Sequence, residues 1–337
     1  MLKNIKLIFS RKPSYAQFYI TFRCNSRCES CLFWKKRATE LSLKEKNRIL
    51  DNLYEFGIRN LTITGGEPLM SKDIFELLDY ASKKGFSINL NTNGVLLNEK
   101  IIDRLLRIKH CNIIISLDSL RAGVYKKIRG IDALDIITKN ILALRKKSKR
   151  PVRIFMTVSN ENYKEVYGIL EFCKANKIQM TAYPVMTSSR GMWFSGMKFK
   201  ENRSREIAEI FMNLAEISKR ERYLFGFSEI YKQAAEFMEG KNIGPCGALK
   251  DYLQVTPEGR VSVCPEFSPF GDLKKSRLSE IFNSKKWENN VRQCYMHNPC
   301  FIGCTRTIPI VRKHKLKFLI EAITSGRILD YINEFFF

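Results

Sequence analysis

The first 185 residues alternate short apolar, β-rich runs with segments of helical periodicity, and this alternation limits the fold more than any other feature of the sequence. Strand, helix and strand in succession predict right-handed βαβ units and a parallel sheet. The pattern leaves open whether that sheet is open or closes into a partial barrel. In both folds the functional residues lie at the carboxyl ends of the strands. The predicted strands are Gln17–Phe22, Asn60–Thr64, Ser87–Thr92, Asn112–Leu117, Val152–Val158 and Ile178–Pro184, and the predicted helices span 43–56, 73–84, 98–108, 132–147 and 161–176.

The pattern changes after residue 186. Residues 186–196 are rich in Ser, Gly and Met and predict a loop, whereas 201–240 have a helical pattern of mixed charge. Residues 244–304 carry five cysteines and little helical periodicity. We therefore expect four parts: an N-terminal extension at 1–14, the α/β domain with a helical linker at 15–240, a cysteine-rich module at 241–310 and a tail at 311–337.

Composition excludes several classes of protein. The chain is 45% hydrophobic, enough for a sizeable core, and no stretch approaches the roughly 18 apolar residues of a membrane span. The N-terminus lacks the apolar run and cleavage site of a signal peptide, so we expect a cytoplasmic location. The 58 basic and 34 acidic residues give a net charge of +24. This surplus fits either a polyanionic partner, such as nucleic acid or anionic lipid, or a lysine-rich solvated surface.

Ten cysteines in a chain without an export signal favour metal binding over disulfides. Three of them, Cys24, Cys28 and Cys31, form a CxxxCxxC run directly after the first predicted strand. Three thiolates so close in sequence can hold three irons of a cubane and leave the fourth iron open. Zinc and unliganded thiols are the alternatives, although zinc sites more often pair cysteines with a second matching pair elsewhere. Cys111 and Cys173 stand alone, and we predict that both are small buried apolar residues.

The cysteine run, its place after the first strand and the Gly65-Gly66-Glu67-Pro68 run at the end of the second strand resemble the radical S-adenosylmethionine (SAM) superfamily. The resemblance implies a partial (β/α)6 TIM-type barrel and a [4Fe-4S] cluster whose open iron binds SAM. It also implies reductive cleavage of SAM to a 5′-deoxyadenosyl radical, which takes a hydrogen atom from the substrate. An external electron donor of the flavodoxin or ferredoxin type is implied too.

Polar residues at the strand ends are the candidates for SAM contacts. Glycines allow close backbone approach, and the resemblance gives Glu67 the SAM ammonium group as a partner. For the Asn, Ser and Asp residues, the alternative role is ordinary capping of loops. For Tyr183, the alternative is a position in the hydrophobic core. The family commonly has an aromatic residue before the last cysteine; here it is Ser30, and Phe33 or Trp34 could replace it. The candidates are Gly65, Gly66, Glu67, Asn91, Asn93, Ser116, Asp118, Thr157 and Tyr183.

The distal cysteines resemble the SPASM extension, which carries auxiliary [4Fe-4S] clusters in that superfamily. Five of the seven cysteines of that pattern are present; Val291 stands where one is missing, and none follows Cys304. The resemblance assigns Cys246, Cys264 and Cys304 to one site, and Cys294 and Cys300 to another. We expect one auxiliary cluster drawn from these five, with a structural zinc site as the alternative.

The run Ser116–Leu120 with Ile128–Gly130 is similar to one in GTP-cyclising and in peptide-modifying radical SAM enzymes. The cyclases are disfavoured, because their distal cluster uses a CxxC with a distant third cysteine and their chains end in Gly-Gly. We expect a radical SAM enzyme that modifies a peptide or protein side chain. The alternatives are one that acts on a small molecule or lipid, and a basic iron–sulfur protein that binds nucleic acid.

The segment from Arg312 onward predicts a basic amphipathic helix with an aromatic end. It could cover the barrel or the module, or it could lie on an anionic membrane surface. We favour the covering role.

Overall fold

A computed structural model describes residues 12–186, 199–244, 247–264, 267–296, 301 and 303–335, with the side chains of 295–296, 303–305 and 332–335 left out. The predicted loop at 187–196, Cys246 and Cys300 lie outside the described residues. The side chain of Cys304 also lies outside them.

The described residues build one nine-stranded sheet in the order β6-β5-β4-β3-β2-β1-β7-β8-β9. Strands β1 to β6 are parallel, β7 pairs parallel with β1, and β8 and β9 follow antiparallel. This is the partial TIM-type barrel that the resemblance implied. The strands are Tyr15–Thr21 (β1), Asn60–Gly65 (β2), Ser87–Thr92 (β3), Cys111–Ser116 (β4), Arg153–Val158 (β5), Gln179–Pro184 (β6), Tyr252–Val255 (β7), Arg260–Ser262 (β8) and Gly271–Asp272 (β9).

Helices follow the strands as the sequence predicted. Those between the barrel strands are Leu43–Phe56 (α1), Ile74–Lys84 (α2), Glu99–Arg107 (α3), Ala122–Arg129 (α4), Leu134–Lys147 (α5) and Val166–Ala175 (α6). The later helices are Glu201–Ser218 (α7), Ser228–Met238 (α8), Leu278–Phe282 (α9), Lys285–Met296 (α10), Gly303–Lys313 (α11), Lys315–Thr324 (α12) and Ile328–Phe335 (α13). The first helix begins with the capping box between Ser42 and Glu45 that stabilises its amino end.

Strand alternation gives the barrel two chemically different faces. In β1, Ala16, Phe18 and Ile20 are fully buried in the main hydrophobic core. The intervening Tyr15 and Gln17 face a cavity inside the barrel, as a side-chain period of two requires. The inward positions of the other strands repeat this mixture of amides, hydroxyls and aromatic rings; they include Thr62, Asn89, Asn91, Arg153, Phe155, Thr181, Tyr183 and Gln254. The barrel interior is therefore a polar and aromatic chamber.

Several helices were missing from the sequence prediction, namely α4, α9, α10 and most of α11. Helix α4 is short and sits where only a loop was expected, and α10 is a twelve-residue helix inside the region thought to lack helical periodicity. Helix α10 buries few apolar side chains, with Trp287 among them, so its amphipathic signal is weak. The predicted burial of Cys111 and Cys173 is confirmed.

The cysteine-rich part is not a detached module. Strand β7, which lies inside the expected 241–310 module, pairs in register with β1, so that Tyr252 stands beside Tyr15. The tail folds back as α12 and α13 over the amino ends of the barrel strands, where Gln179 Nε2 donates to Asp330 Oδ2 over 2.6 Å. Within the described residues, no helix is long and apolar enough to cross a lipid bilayer.

Candidate functional site

The three clustered cysteines lie on the wall of one cavity at the carboxyl ends of the barrel strands. We call it the cysteine cavity; its volume is about 290 Å³, and Cys24, Cys28 and Cys31 line it together. All three cysteines are half-buried. The loop that carries them follows β1 directly, so its position is set by the end of that strand.

Helix α4 holds the cysteine loop on one side. The amides of Arg27 and Glu29 donate to the carbonyls of Arg129 and Ile128, both over 3.0 Å. Gly130 ends this helix with a φ of +67°, and a Cβ there would stand 2.4 Å from the carbonyl oxygen of Arg27. The Ile-Arg-Gly run therefore serves the site through its backbone, and only glycine fits its last position.

The Gly-Gly-Glu segment holds the same loop on the other side. The Gly66 amide donates to Thr21 O and the Glu67 amide to Arg23 O, both over 2.8 Å. A Cβ on Gly66 would stand 2.2 Å from the carbonyl oxygen of Arg23. These glycines line the cysteine cavity as predicted, but the structure adds a second reason for them, which is close contact with the cysteine loop itself.

Glu67 has a different environment from the predicted one. Its side chain is fully buried, and its carboxylate accepts hydrogen bonds from the Asn93 amide (2.7 Å), the Thr92 hydroxyl (2.8 Å) and the Leu69 amide (3.1 Å). Burial raises the pKa of Glu67 to about 7, although these three donors lower it. The carboxylate thus joins the second and third strand ends instead of facing the cavity.

Asp118 and Arg129 form a buried ion pair beside the cysteines. Arg129 Nε lies 2.6 Å from Asp118 Oδ2, and their side chains are 11% and 3% exposed. Asp118 Oδ1 also accepts the Thr157 amide over 2.8 Å, and Arg129 Nη1 lies 3.8 Å from Cys28 Sγ. Both side chains line the cysteine cavity. The pair therefore links the ends of β4 and β5 to the cysteine loop and places a positive charge near one sulfur.

The two asparagines at the end of β3 have different roles. Asn93 Nδ2 donates to Asn25 Oδ1 (2.6 Å) and Ser26 Oγ (3.2 Å), and lies 4.0 Å from Cys24 Sγ. Asn93 thus holds the cysteine loop. Asn91 lines the cavity, and its buried Oδ1 finds no hydrogen-bond partner among the described residues. A buried acceptor without a donor is costly, so it marks a place for a ligand or water that donates.

Ser116 and Thr157 line the cysteine cavity, as do Phe33 and Trp34, the two aromatic candidates that follow the last cysteine. Phe33 packs against Tyr19 and Phe22 and is nearly buried, whereas Trp34 is half-buried.

Tyr183 lies in a separate cavity inside the barrel, which we call the lumen cavity, of about 110 Å³. Its ring contacts those of Phe155, Tyr231 and Phe301. Asn91, Gln17 and Phe155 line both cavities, so the lumen cavity adjoins the cysteine cavity. The structure therefore places Tyr183 away from the other predicted SAM contacts, while Val185, two residues on, lines the cysteine cavity.

The three thiols suit an iron–sulfur cluster. Within the described part of the chain, no group of three His, Cys, Asp or Glu side chains could hold a single metal ion. The thiolates that hold a cubane lie farther apart than the ligands of a single ion, because each thiolate binds a different iron. Sulfur ligands also favour nearby donors, and the Ser26 amide donates to Cys24 Sγ over 3.4 Å. Burial raises the pKa of Cys24, and that of Cys31 to about 12, so thiolates form here when a metal replaces the protons.

Comparison with known proteins agrees with this geometry. The model of the radical SAM superfamily matches residues 18–173, and that of the SPASM iron–sulfur cluster-binding domain matches 246–305. This chain belongs to the radical SAM superfamily. Radical SAM enzymes bind a [4Fe-4S] cluster and SAM, and the SPASM domain binds further iron–sulfur clusters, so these are the cofactors of the chain.

Two curated relatives illustrate the breadth of the family. The GTP 3′,8-cyclase of Helicobacter pylori (strain HPAG1) is 26% identical over 308 residues, which cover 86% of this chain and 92% of the relative. The mycofactocin maturase MftC of Mycobacterium tuberculosis (strain ATCC 25618 / H37Rv) is 26% identical over 285 residues, which cover 82% of this chain and 71% of the relative. Among solved structures, Streptococcus suis SuiB bound to precursor peptide SuiA superimposes with a TM-score of 0.68 and 17% identity, over 86% of this chain and 69% of SuiB. That likeness concerns the fold alone.

The SPASM region of this radical SAM enzyme is described in part. Cys264 follows β8 and Cys294 lies on α10, and both are buried. Cys304 lies in α11. Val291, at the position of a missing cysteine, packs against the main hydrophobic core, so an apolar contact has taken the place of a thiol.

Sequence analysis missed two residues of the radical SAM site. Gln17 of β1 and Gln254 of β7 line the cysteine cavity, and Gln254 Nε2 donates to Gln17 Oε1 over 2.8 Å. The SPASM region thus supplies part of the cavity wall. The inward position of Gln17 could have been predicted from the sequence, because Gln17 alternates with apolar residues of its strand. Gln254 could be found only once β7 was known to pair with β1.

Proposed function

We propose that this radical SAM enzyme modifies a side chain of a peptide or protein, with Cys24, Cys28 and Cys31 as the ligands of its SAM-binding [4Fe-4S] cluster. The observation that carries the proposal is the cysteine cavity, in which three thiols face the polar ends of the barrel strands. When bound, the cluster supplies the electron that splits SAM into methionine and a 5′-deoxyadenosyl radical, which removes a substrate hydrogen atom.

The chain's own residues position the loop that would hold the cluster. The cysteine loop is fixed by backbone hydrogen bonds from the Gly-Gly-Glu segment and from α4. Arg129 brings a guanidinium to within 3.8 Å of Cys28 Sγ. Asp118 in turn holds Arg129 in place.

For SAM itself, we assign direct contacts to the groups that face the cavity. Asn91 Oδ1 is a buried acceptor without a donor and suits an ammonium or ribose hydroxyl group. Ser116 and Thr157 offer hydroxyls on the same wall, and Gly65 and Gly66 leave the backbone accessible. Glu67, whose oxygens already accept three hydrogen bonds, acts by positioning Asn93 and Thr92.

A peptide substrate is supported by the relatives that share this fold. SuiB binds a precursor peptide, and MftC is a maturase. The chain also carries the SPASM region, whose β7 contributes Gln254 to the cavity wall.

The auxiliary cluster is assigned to Cys246, Cys264 and Cys304, with Cys294 or Cys300 as a fourth ligand. Contacts on either side of the undescribed cysteine support this assignment. Arg306, two residues after Cys304, donates to the Gly244 carbonyl over 2.7 Å, and a Cβ on Gly247 would stand 2.9 Å from Pro309. The described residues on either side of Cys246 therefore contact helix α11, which carries Cys304.

An external electron donor of the flavodoxin or ferredoxin type completes the proposed reaction. The net charge of +24 would attract a negatively charged protein of this kind and speed its encounter with the enzyme.

Anaerobic reconstitution followed by incubation with SAM, a strong reductant and candidate peptides tests the proposal. We expect about eight irons, formation of 5′-deoxyadenosine and a mass change confined to one peptide. Replacing Cys24, Cys28 and Cys31 together by Ala should remove about four irons and all SAM cleavage. The matched control replaces Cys111 and Cys173 by Ala, which leaves both properties intact. SAM cleavage by the triple variant would refute the ligand assignment.

A small-molecule substrate is the second candidate, because the lumen cavity adjoins the cysteine cavity and is closed at its other end by Phe318 and Tyr331. The same assay separates the candidates. A mass change in a small metabolite from a cell extract, with every peptide unchanged, would favour this second function.

A further inference from the structure

The outer surface of the C-terminal helix pair is unusually apolar. Leu316, Leu319, Ile320 and Ile323 recur at the spacing of one helical face on α12, and Ile328 and Leu329 continue it on α13. We call these six residues the outer stripe. They are 73%, 48%, 53%, 63%, 38% and 69% exposed, and they make up six of the ten exposed large hydrophobic side chains in the described part of the chain.

The opposite face of the same helices is fastened to the barrel. Glu321 is buried, and its carboxylate accepts hydrogen bonds from the amide (3.0 Å) and hydroxyl (2.5 Å) of Ser228. Arg327 is fully buried and donates to the carbonyls of Leu224, Gly226 and Ser218. Phe318 and Tyr331 contact each other and line the lumen cavity. A rotation that buried the outer stripe would break these contacts, so its exposure is built into the fold.

The charges around the outer stripe are mostly positive. Residues 313–331 contain two carboxylates, and both are engaged inward: Glu321 with Ser228 and Asp330 with Gln179. The neighbouring Glu229 pairs with Lys317, and Glu216 pairs with Lys219.

Exposed cations border the stripe at both ends. Lys313 is exposed just before α12. At the far end, the Thr324 hydroxyl donates to the Lys219 carbonyl over 3.3 Å, which places the exposed Arg220 and Arg222 of the α7–α8 turn nearby. Two copies of this surface would bring equal charges together, whereas an anionic partner would be attracted.

We infer that the outer stripe binds the surface of an anionic membrane, with α12 and α13 lying in the plane of the headgroups. An apolar helix face bordered by Lys and Arg, with the nearby described carboxylates already paired, is the pattern of a helix that lies in the interface. The helix pair covers the amino ends of the barrel strands, while the cysteine cavity lies at their carboxyl ends. Docking through the outer stripe therefore leaves the mouth of the cysteine cavity turned away from the bilayer.

The test is flotation of the full-length, iron-reconstituted chain with vesicles of phosphatidylcholine alone or mixed with phosphatidylglycerol. We expect affinity for the anionic vesicles to be at least about tenfold higher, and to fall with added salt, because several cations act near the surface. The Ile320→Glu, Ile323→Glu double variant should weaken binding by more than about tenfold. The matched control, Ile136→Glu with Leu142→Glu, introduces the same charge on exposed positions of α5 and should change binding by less than about twofold.

A second variant, Leu316→Asn with Leu329→Asn, alters the two most exposed stripe residues without adding charge and should also weaken binding. Equal binding to neutral and anionic vesicles, or unchanged binding by both stripe variants, overturns the inference. A second result would also overturn it: the wild type sediments as a dimer that the stripe variants dissociate, and the wild type does not bind vesicles. The outer stripe then binds a second copy of the chain. Because SAM cleavage plays no part in this assay, its outcome is independent of the proposed function.

Discussion

The two cysteine-bearing regions lie beside neighbouring strands of one sheet, but they are held in different ways. The first loop is fixed by backbone hydrogen bonds from the Gly-Gly-Glu segment and from the end of α4, where glycines permit close contact. In the second region, long side chains make the connections, with Arg306 and Arg312 of α11 reaching the segment from Ile243 to Asp251. The comparison teaches that the first site combines backbone hydrogen bonds with side-chain contacts such as those of Asn93, whereas long arginine side chains make the connections named for the second.

The largest expected contrast concerns the distal cysteines. Replacing Cys246, Cys264 or Cys304 singly by Ala should abolish the auxiliary cluster signal, because each is a ligand for which the site has no substitute. Either Cys294→Ala or Cys300→Ala should be tolerated, but not both together. The variants that lose the auxiliary cluster should keep about four irons, the tolerated single variants about eight, and all of them should keep SAM cleavage. Electron paramagnetic resonance and Mössbauer spectra of the five single variants measure this. Zinc in place of a second iron cluster would contradict the auxiliary assignment and leave the first site unaffected.

The buried ion pairs of the two regions provide the next contrast. Arg129→Met should lower the free energy of unfolding by about 3–5 kcal/mol, because Asp118 is left charged and nearly inaccessible. Arg312→Met should cost less, about 1–3 kcal/mol. Burial raises the pKa of Asp251 even though Arg312 lowers it, so Asp251 takes up a proton more readily once the arginine is gone.

Urea denaturation of the reconstituted variants, matched for iron content, gives these differences. Lys83→Met serves as the control, since Lys83 forms an exposed pair with Asp79, and it should change stability by less than about 0.5 kcal/mol. Equal losses for Arg129→Met and Arg312→Met would remove the energetic distinction between the two regions.

The last prediction is a pH dependence at Glu67. Its pKa in the folded chain is about 7, above the ordinary value of 4.5. The stabilisation from this group is therefore complete below pH 4.5 and is lost as the pH rises through 7, a change of about 3 kcal/mol. Glu67→Gln cannot titrate, and its amide would face at least one backbone donor at a cost of about 1–3 kcal/mol.

The stability difference between wild type and Glu67→Gln should thus shrink between pH 5 and pH 8, as measured by denaturation at each pH. Glu55→Gln, on the exposed side of α1, should show a constant difference over the same range. A constant difference for Glu67→Gln as well would mean that this carboxyl group titrates outside that interval.

The barrel could be predicted from the sequence because the patterns of its strands and helices depend on residues that are close together in the chain. All six predicted barrel strands are present with ends within two residues of the prediction, as for Ser87–Thr92, and α1 spans 43–56 as predicted. The family resemblance could name Glu67, but it could not show that three nearby donors occupy its carboxylate. Tyr183 ended a strand as expected, yet strand alternation turns its ring into the lumen cavity.

Helix α10 and strand β7 of the distal region could not be predicted from the local sequence, for a physical reason. Helix α10 and strand β7 are defined by what they contact, namely the core beneath Trp287 and the free edge of β1. The edge of β1 is distant in sequence from β7, whereas Trp287 contacts both the nearby Phe282 and the more distant Phe270. The pairing of Gln254 with Gln17 depends on the same long-range register and has no local signature.

The parallel pairing of Tyr15 with both Asn60 and Tyr252 also has a consequence for biosynthesis. Translation delivers β1 first and β7 much later, at a delay of roughly ten to fifty seconds at ordinary ribosome speeds. Throughout that interval one edge of β1 offers unpaired backbone groups to any neighbouring chain. Chains truncated before Tyr252 should therefore aggregate more readily than the full-length chain.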